Sequence, residues 1–131
     1  MRVNRIALLM LLLLLATSIA SAKSYKVMKK VGEYNVVMKI DRNPPIAGDN
    51  HVTLEVADAS GRCTCDADVI IEYSKPAMLG TPALTYKADT RLARGRFVGN
   101  ISLPVSGSWN VAVKIVKGSK KWITNFTVDV E

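Results

Sequence analysis

The stretch from Gly95 to Val116, GRFVGNISLPVSGSWNVAVKIV, decides the fold of this chain. From Phe97 to Leu103 the apolar side chains recur with a period of two, which is the repeat of a β-strand with one buried face. A turn at Gly107 follows, and the same period returns from Trp109 to Ile115. Strands that are apolar on one face only are typical of antiparallel sheets that pack against a second layer.

The same alternation runs through most of the chain outside this stretch. Clusters of glycine, proline, asparagine, aspartate and serine separate the segments of alternating apolar residues at roughly ten-residue spacing. The apolar residues show no helical periodicity. The pattern predicts an all-β fold, an Ig-like antiparallel β-sandwich of about seven strands. It lacks the paired cysteines and intervening tryptophan of antibody domains, so the likeness concerns architecture alone. The other predicted strands are Tyr34 to Ile40, His51 to Val56, Val69 to Tyr73 and Trp122 to Val130.

The first twenty-two residues predict a secretory signal peptide. Arg2 and Arg5 supply a positive start, an apolar run follows from Ile6 to Ala16, and Ala20-Ser21-Ala22 matches the small-residue pattern of a cleavage site. The apolar run is about half as long as a membrane span. We therefore expect residues 1–22 to be removed and residues 23–131 to form a single periplasmic or secreted domain. An uncleaved N-terminal anchor is the alternative.

The charge of the chain argues against nucleic acid as a partner. The formal net charge is +7, and the leader contains two of the eighteen basic residues and no acidic ones, so the mature chain carries +5. The basic residues are dispersed at expected strand ends and turns, where they are usually solvated and protect sheet edges. The aromatic residues fall on expected core positions and do not interleave with them. No second apolar stretch is long enough for a membrane span after cleavage.

Enzyme chemistry finds little support in the sequence. A catalytic triad would have to be built around His51, the single histidine, and no glycine-flanked serine accompanies it. Asp66 and Asp68 share parity, but a solvated turn explains them better than acid–base work. The glycines are dispersed as turn residues and form no phosphate-binding loop. We expect a protein that is not an enzyme.

Cys63 and Cys65 stand two residues apart, just after the turn at Ser60 and Gly61. In an extended segment such side chains face the same way, which suits chelation of a soft metal. A disulfide is the competing interpretation, because an exported protein meets an oxidising compartment. Closing it requires a bend, since the two Cα atoms in a strand lie near the outer limit of disulfide geometry. Pairing of one thiol with a partner chain is the third possibility.

His51 and Met78 are the remaining candidate ligands. His51 begins a strand with parity opposite to Val52; an exposed histidine without a role is the commoner case, and an imidazole ligand for copper is the alternative. Met78 lies in the stretch from Lys75 to Leu84, KPAMLGTPAL. Its two prolines cannot donate ladder hydrogen bonds, which predicts a shaped loop between strands. Met38, by contrast, has the parity of a core residue.

The order of these strands and turns resembles that of FixH-like and YtkA-like domains. The likeness includes Ala47-Gly48-Asp49-Asn50 and Asp58-Ala59-Ser60-Gly61, and its most specific part is G-R-F…L-P-V-S-G-S-W-N-V within residues 95–111. It extends over essentially the whole mature chain. The resemblance implies a small exported β-sandwich from a family linked to the handling of copper or other heavy metals and to cytochrome oxidase maturation.

For this chain the resemblance implies an accessory protein that binds or helps to transfer a soft metal ion such as Cu(I). Its partner would be a metal-transfer protein or a membrane complex, in cytochrome oxidase maturation or metal resistance. Relatives often carry a methionine-rich run where this chain has Met78, and a stable Cu(I) site needs about two to four soft ligands. The candidate metal ligands are therefore Met78, Cys63, Cys65 and His51. The alternative is a structural or interaction module that contacts a protein through residues 75–84 or an edge strand, without metal.

Overall fold

The computed structural model describes residues 24–131, which form two antiparallel β-sheets. The signal peptide predicted for residues 1–22 lies outside the described residues. In the part of the chain that is described, no helix is long and apolar enough to cross a membrane. The strands are β1 (Tyr25–Val31), β2 (Tyr34–Ile40), β3 (Gly48–Ala57), β4 (Asp68–Lys75), β5 (Leu84–Asp89), β6 (Arg91–Ala93), β7 (Arg96–Leu103), β8 (Gly107–Lys117) and β9 (Lys120–Val130).

The two sheets have five and four strands. The first has the order β1-β2-β3-β7-β6 and the second has the order β5-β4-β8-β9. β8 and β9 form the longest hairpin, in register from the pair Gly107 and Val130 to the pair Lys117 and Lys120. β3 and β7 are separated in the sequence by β4, β5 and β6, so the chain crosses to the second sheet and returns. The predicted all-β antiparallel sandwich is confirmed.

The apolar side chains that alternate along the strands pack against one another between the two sheets. Trp109 and Phe126 are each 1% exposed, and Met38 is fully buried as its parity predicts. The Trp109 ring lies near the rings of Tyr73 and Tyr86, with centroids 6.1 and 6.3 Å away. Period-two alternation therefore places one face of each central strand in a shared core, and burial of this apolar surface is the main favourable contribution to folding.

The described residues contain nine strands instead of the expected seven or so. The alternation of apolar residues did not give the bounds of β1, β5 and β6, whose side chains are mostly exposed or half-buried. These three strands lie at sheet edges, where hydrogen bonding to one neighbour suffices and little apolar surface is buried. Strand identity here depends on the partner strand and not on a hydrophobic repeat.

The two candidate loops lie at opposite ends of β4. The β3–β4 loop contains the cysteines and precedes Asp68, whereas the β4–β5 loop contains Met78 and follows Lys75. β4 has eight residues, which corresponds to a length of about 23 Å. We call the end formed by residues 58–67 the disulfide end and the end formed by residues 76–83 the methionine end.

Candidate functional site

The two cysteines form a disulfide with each other. The Sγ atoms of Cys63 and Cys65 are bonded, and the Cα atoms lie 5.2 Å apart. Two residues of extended strand would span about 6.6 Å, so the segment bends as the sequence argument requires. Thr64 between them is buried, whereas Cys63 is exposed and Cys65 is half-buried. Of the three possibilities that the sequence leaves open, the structure has the local disulfide.

The loop that carries the disulfide is held by the side chain of Asp58. Its carboxylate accepts hydrogen bonds from the Ser60 hydroxyl at 2.6 Å, the Ser60 N–H at 2.9 Å and the Arg62 N–H at 3.0 Å. These bonds, the Ser60 hydroxyl above all, hold the pKa of Asp58 below its ordinary value. The Thr64 N–H also donates to the Val56 carbonyl at 2.8 Å. The cysteines are therefore presented on an ordered turn.

Cys63 lines a basic cleft, which we call the arginine cleft. The residues that line it include Glu55, Ala57, Gly61, Cys63, Arg94 and Arg96. The Cys63 sulfur lies 3.2 Å from the carbonyl oxygen of Gly95. In the disulfide this is a sulfur–oxygen contact, since the sulfur carries no proton; in the reduced state the thiol can donate to that oxygen. The cleft brings Cys63 onto one surface with Arg94 and Arg96, which follow it by about thirty residues in the chain.

The arginine cleft depends on the tight turn between β6 and β7. Ala93 and Arg96 pair across this turn, and Arg94 and Gly95 both have positive φ, at 52° and 74°. Two successive positive φ values define the two-residue turn that matches the twist of a hairpin. Arg96 is paired with Glu55, whose Oε1 lies 2.9 Å from Nε. Arg94 has no carboxylate within ion-pair distance among residues 24–131, so its charge is free to act on the cleft.

Cys65 lines a different cleft on the other side of the disulfide. Its walls include the apolar side chains of Val69, Leu92 and Phe97 together with Asp66 and Asp68. The Asp66 carboxylate lies 3.4 Å from the ammonium group of Lys117, the last residue of β8. The two sulfurs therefore line different clefts: two arginines and Glu55 line the cleft at Cys63, whereas Asp66 and Asp68 line the cleft at Cys65.

His51 lies on the outer surface of the five-stranded sheet. Its side chain is exposed, and Nδ1 lies 3.1 Å from Oδ1 of Asn100 on the neighbouring strand. Its backbone N–H donates to the Asp41 carboxylate at 3.1 Å. Ala57, which pairs with Cys63, follows His51 by six positions along β3, so the imidazole lies about 20 Å from the disulfide along the strand.

Met78 occupies the first position of a tight turn at the methionine end. Met78 and Thr81 exchange two backbone hydrogen bonds of 2.9 Å, and Gly80 between them has a φ of 82°. The predicted loop between strands is confirmed, with Lys75 ending β4 and Leu84 beginning β5. The Lys75 ammonium, on a largely buried side chain, lies 3.4 Å from the Met78 sulfur.

The structure brings the two cysteines together and keeps Met78 and His51 apart from them. β4 separates Met78 from the disulfide, and His51 faces away from the sandwich interior. Within residues 24–131, no group of three or more histidine, cysteine, aspartate and glutamate side chains is arranged to hold a metal ion. Any soft-metal chemistry at the disulfide end therefore belongs to the two sulfurs, and it requires their reduction.

Sequence reasoning did not assign a site role to Arg94 or to Lys75. In the sequence Arg94 is one of several dispersed basic residues, and only the pairing of β3, β7 and β6 brings the β6–β7 turn to Cys63. A usable signal was present in Arg94-Gly95, since an arginine followed by glycine between two short strand signals is compatible with a two-residue turn. Lys75 shares the inward parity of Val69, Ile71 and Tyr73, and that parity predicts its burial.

Comparison with known proteins identifies a family. A family model described as YtkA-like matches residues 26–114, which is more than half of the chain. The matched span begins in β1 and ends in β8, so it includes the disulfide, the arginine cleft and the methionine end. No curated protein and no solved structure matches the chain.

Proposed function

This chain belongs to the YtkA-like family, and from that premise we propose that it is an exported, non-enzymatic accessory protein that handles a soft metal ion. The ion, Cu(I) or one of similar softness, is cargo that the dithiol form of Cys63 and Cys65 holds. The protein works in the periplasm or outside the cell and hands the ion to a protein partner or membrane complex. Cytochrome oxidase maturation and metal resistance are the processes in which such a carrier serves.

The observation that carries this proposal is the bonded position of the two sulfurs on an exposed turn. Sulfurs that can bond to each other in the oxidised protein remain close enough after reduction for both to reach one ion. Thiolates are the protein ligands that select Cu(I) over harder ions. Since Cys63 is exposed and Cys65 is half-buried, the ion can reach the pair and leave it without unfolding of the domain.

The order of the loop supports binding by only two ligands. Asp58 holds Ser60 and Arg62 through three hydrogen bonds, and Thr64 is tied to Val56. Little conformational entropy is lost on binding when the turn is already ordered. A two-thiolate site is also open to a third ligand from another molecule, which suits a carrier that must release its cargo.

Met78 and His51 are not part of this proposed site. Met78 lies at the other end of β4, and its sulfur is in contact with the Lys75 ammonium. A positive charge at 3.4 Å opposes binding of a cation to the same thioether. His51 lies on the outer face of the five-stranded sheet, beside Asn100, and about 20 Å of β3 separates it from the disulfide. The proposed ligand set is therefore narrower than the four residues named from the sequence.

A competition titration of Cu(I) against a chromophoric chelator tests the proposal. Reduced protein is compared with oxidised protein, with the variant Cys63→Ser/Cys65→Ser and with Met78→Leu as the matched control for loss of a sulfur. We expect one ion per chain in reduced wild type and in Met78→Leu, and none in the oxidised protein or the double variant. Binding that survives the double serine substitution, or no binding to any form, would contradict a dithiolate site.

A second candidate function has its own observation at the methionine end. Leu79 at the tip of the β4–β5 loop is fully exposed, and Met78 beside it is 59% exposed. The two hydrogen bonds between Met78 and Thr81 hold this apolar tip in one conformation. An ordered apolar tip next to the edge strand β5 is suited to recognition of a protein surface.

Site-specific photocrosslinking separates the recognition module from the metal carrier. A photoreactive residue at position 79 is expected to give one adduct of discrete mass in cells, whereas the same residue at position 123, an exposed isoleucine on β9, gives none. Equal labelling at both positions, or none at either, rules out a docking tip. The copper titration is independent of this outcome, because Cys63 and Cys65 lie at the opposite end.

A further inference from the structure

We propose that the Cys63–Cys65 disulfide is redox-active and exchanges with the dithiol of another protein. This activity goes beyond metal handling and stands whether or not an ion binds. In it, Cys63 carries the mixed disulfide, and Cys65 is the leaving sulfur when this protein is reduced and the resolving sulfur when it is oxidised. The arginine cleft is the surface on which the exchange takes place.

Accessibility favours Cys63 as the reacting sulfur. Cys63 is exposed and opens onto the arginine cleft, whereas Cys65 is half-buried beside Val69 and Phe97. Exchange needs an approach of the incoming sulfur along the line of the bond that breaks, so the sulfur with open solvent in front of it is attacked first. The buried Thr64 and the hydrogen bonds of Asp58 keep the turn in place during the reaction.

The charges around the two sulfurs favour the same direction. Arg94 and Arg96 border the cleft at Cys63; Glu55 offsets the charge of Arg96, and Arg94 has no such partner among the described residues. Positive charge attracts an incoming thiolate and stabilises a thiolate on Cys63. Next to Cys65 stand Asp66, which is paired with Lys117, and Asp68. Carboxylates there repel an incoming thiolate from Cys65.

The exchange is balanced by the partner's two thiols. One partner thiolate attacks Sγ of Cys63; the Cys63–Cys65 bond breaks and Cys65 leaves, taking up a proton from solvent. The second partner thiolate then attacks the partner's first sulfur, which is bonded to Cys63 in the mixed disulfide. The partner's own disulfide forms, and Cys63 is released as a thiolate. Two electrons pass from the partner dithiol to this protein, and the partner becomes a disulfide. In the reverse direction, the Cys63 thiolate attacks a partner disulfide and Cys65 resolves it.

The first arm of the test measures exchange itself. Protein purified from cells that express the full chain is equilibrated, without denaturant and with a metal chelator, in graded mixtures of reduced and oxidised dithiothreitol. Acid quenching and maleimide labelling then count free thiols on a gel. We expect both thiols to appear together and reversibly while the circular dichroism of the sandwich is unchanged. Thiols that react only after unfolding, or reduction that itself unfolds the domain, would overturn the proposal.

The second arm assigns the roles of the two sulfurs. Cys65→Ser and Cys63→Ser each retain one thiol, and both react with dithiodipyridine, a neutral disulfide whose approach the arginines do not steer. We expect Cys63 to react about tenfold faster than Cys65. In the Cys65→Ser background, Arg94→Asn, which keeps a residue suited to positive φ, should slow the reaction of Cys63 several-fold. The control Arg42→Asn, in the β2–β3 loop at the opposite end of β3 from Cys63, should leave the rate unchanged. Equal rates, or a faster Cys65, would refute the assignment.

The outcome is separable from that of the copper titration. Exchange is measured with chelator present, so a protein that binds no Cu(I) can still pass the first arm. A protein whose dithiol binds Cu(I) but whose disulfide resists native reduction would support the metal proposal and overturn this one. Where both hold, reduction of the disulfide is the step that makes the metal ligands available.

Discussion

Removing the disulfide should cost this protein little stability. The bond closes a loop of only three residues, 63 to 65, and the chain-entropy relation for so short a loop gives about 1.6 kcal/mol, against about 4.7 kcal/mol for a loop of 100 residues. Substitution at Cys63 and Cys65 opens no cavity, since Cys63 is exposed and Cys65 is half-buried. A disulfide of this size serves stability poorly, which is why we assign it a chemical role.

Urea unfolding of the variant Cys63→Ser/Cys65→Ser measures this cost. The fluorescence of buried Trp109 is a suitable probe of the core. A loss of about 1.6 kcal/mol lowers the urea midpoint by roughly 0.5–1.5 M and the melting temperature by about 7 °C. Wild type reduced with dithiothreitol is the control, and its unfolding curve should coincide with that of the double variant.

A larger loss would refute the reasoning. If the reduced protein or the double variant lost more than about 3 kcal/mol, the disulfide would be a structural staple of the kind found in small secreted domains. Its reduction in the cell would then unfold the chain, and neither a dithiol metal site nor reversible exchange would be available. A loss near the expected value leaves the folded sandwich as the scaffold for both.

Three further predictions concern local structure. Arg94→Asn should raise stability by about 0.5–1 kcal/mol in urea unfolding, because asparagine tolerates the positive φ of a two-residue turn better than arginine. Gly32→Ala should lower it by about 2 kcal/mol, since the residue has positive φ and a Cβ there would lie 2.9 Å from Nε1 of Trp122. Hydrogen bonds from Ser60 lower the pKa of Asp58, so a carboxyl NMR titration should give a midpoint below that of an unstructured aspartate. The loop's stabilisation by Asp58 is then present above the unfolded-state pKa and lost as the pH falls through the folded-state pKa, and Asp58→Asn should remove that dependence.

The sandwich could be predicted because its central strands each bury one face. Trp109, Phe126 and Met38 all lie in the core that their parity indicates. The edge strands could not be predicted in the same way. In β1, the sequence YKVMKKV is exposed or half-buried throughout, and it is a strand because it pairs with β2 along its whole length. Pairing between strands is a property of the assembled sheet, so the sequence of a single edge strand gives only a weak signal for it.

The candidate site was predictable only in its local part. That Cys63 and Cys65 face the same way follows from their spacing, and the bend needed for a disulfide follows from the same geometry. The arginine cleft follows from neither, because Arg94 reaches Cys63 through two strand pairings that the sequence does not reveal. The contact between Lys75 and Met78 is predictable only in part. The parity of Lys75 in its strand predicts an inward side chain, but the sequence does not predict that the loop folds back so that Met78 contacts it.

The separation of Met78 from the cysteines has a topological cause. Loops before and after one strand must lie at opposite ends of its sheet, and β4 alone connects the disulfide end to the methionine end. Cys63, Cys65 and Met78 therefore cannot bind one ion while β4 is formed, because its eight residues hold the two ends about 23 Å apart. The proposed functions divide accordingly: we assign the thiol and soft-metal reactions to the arginine cleft at one end, and recognition of a partner to the ordered apolar tip at the other. A partner that docks on the tip leaves the disulfide free to react, so the two proposed functions are compatible within one molecule.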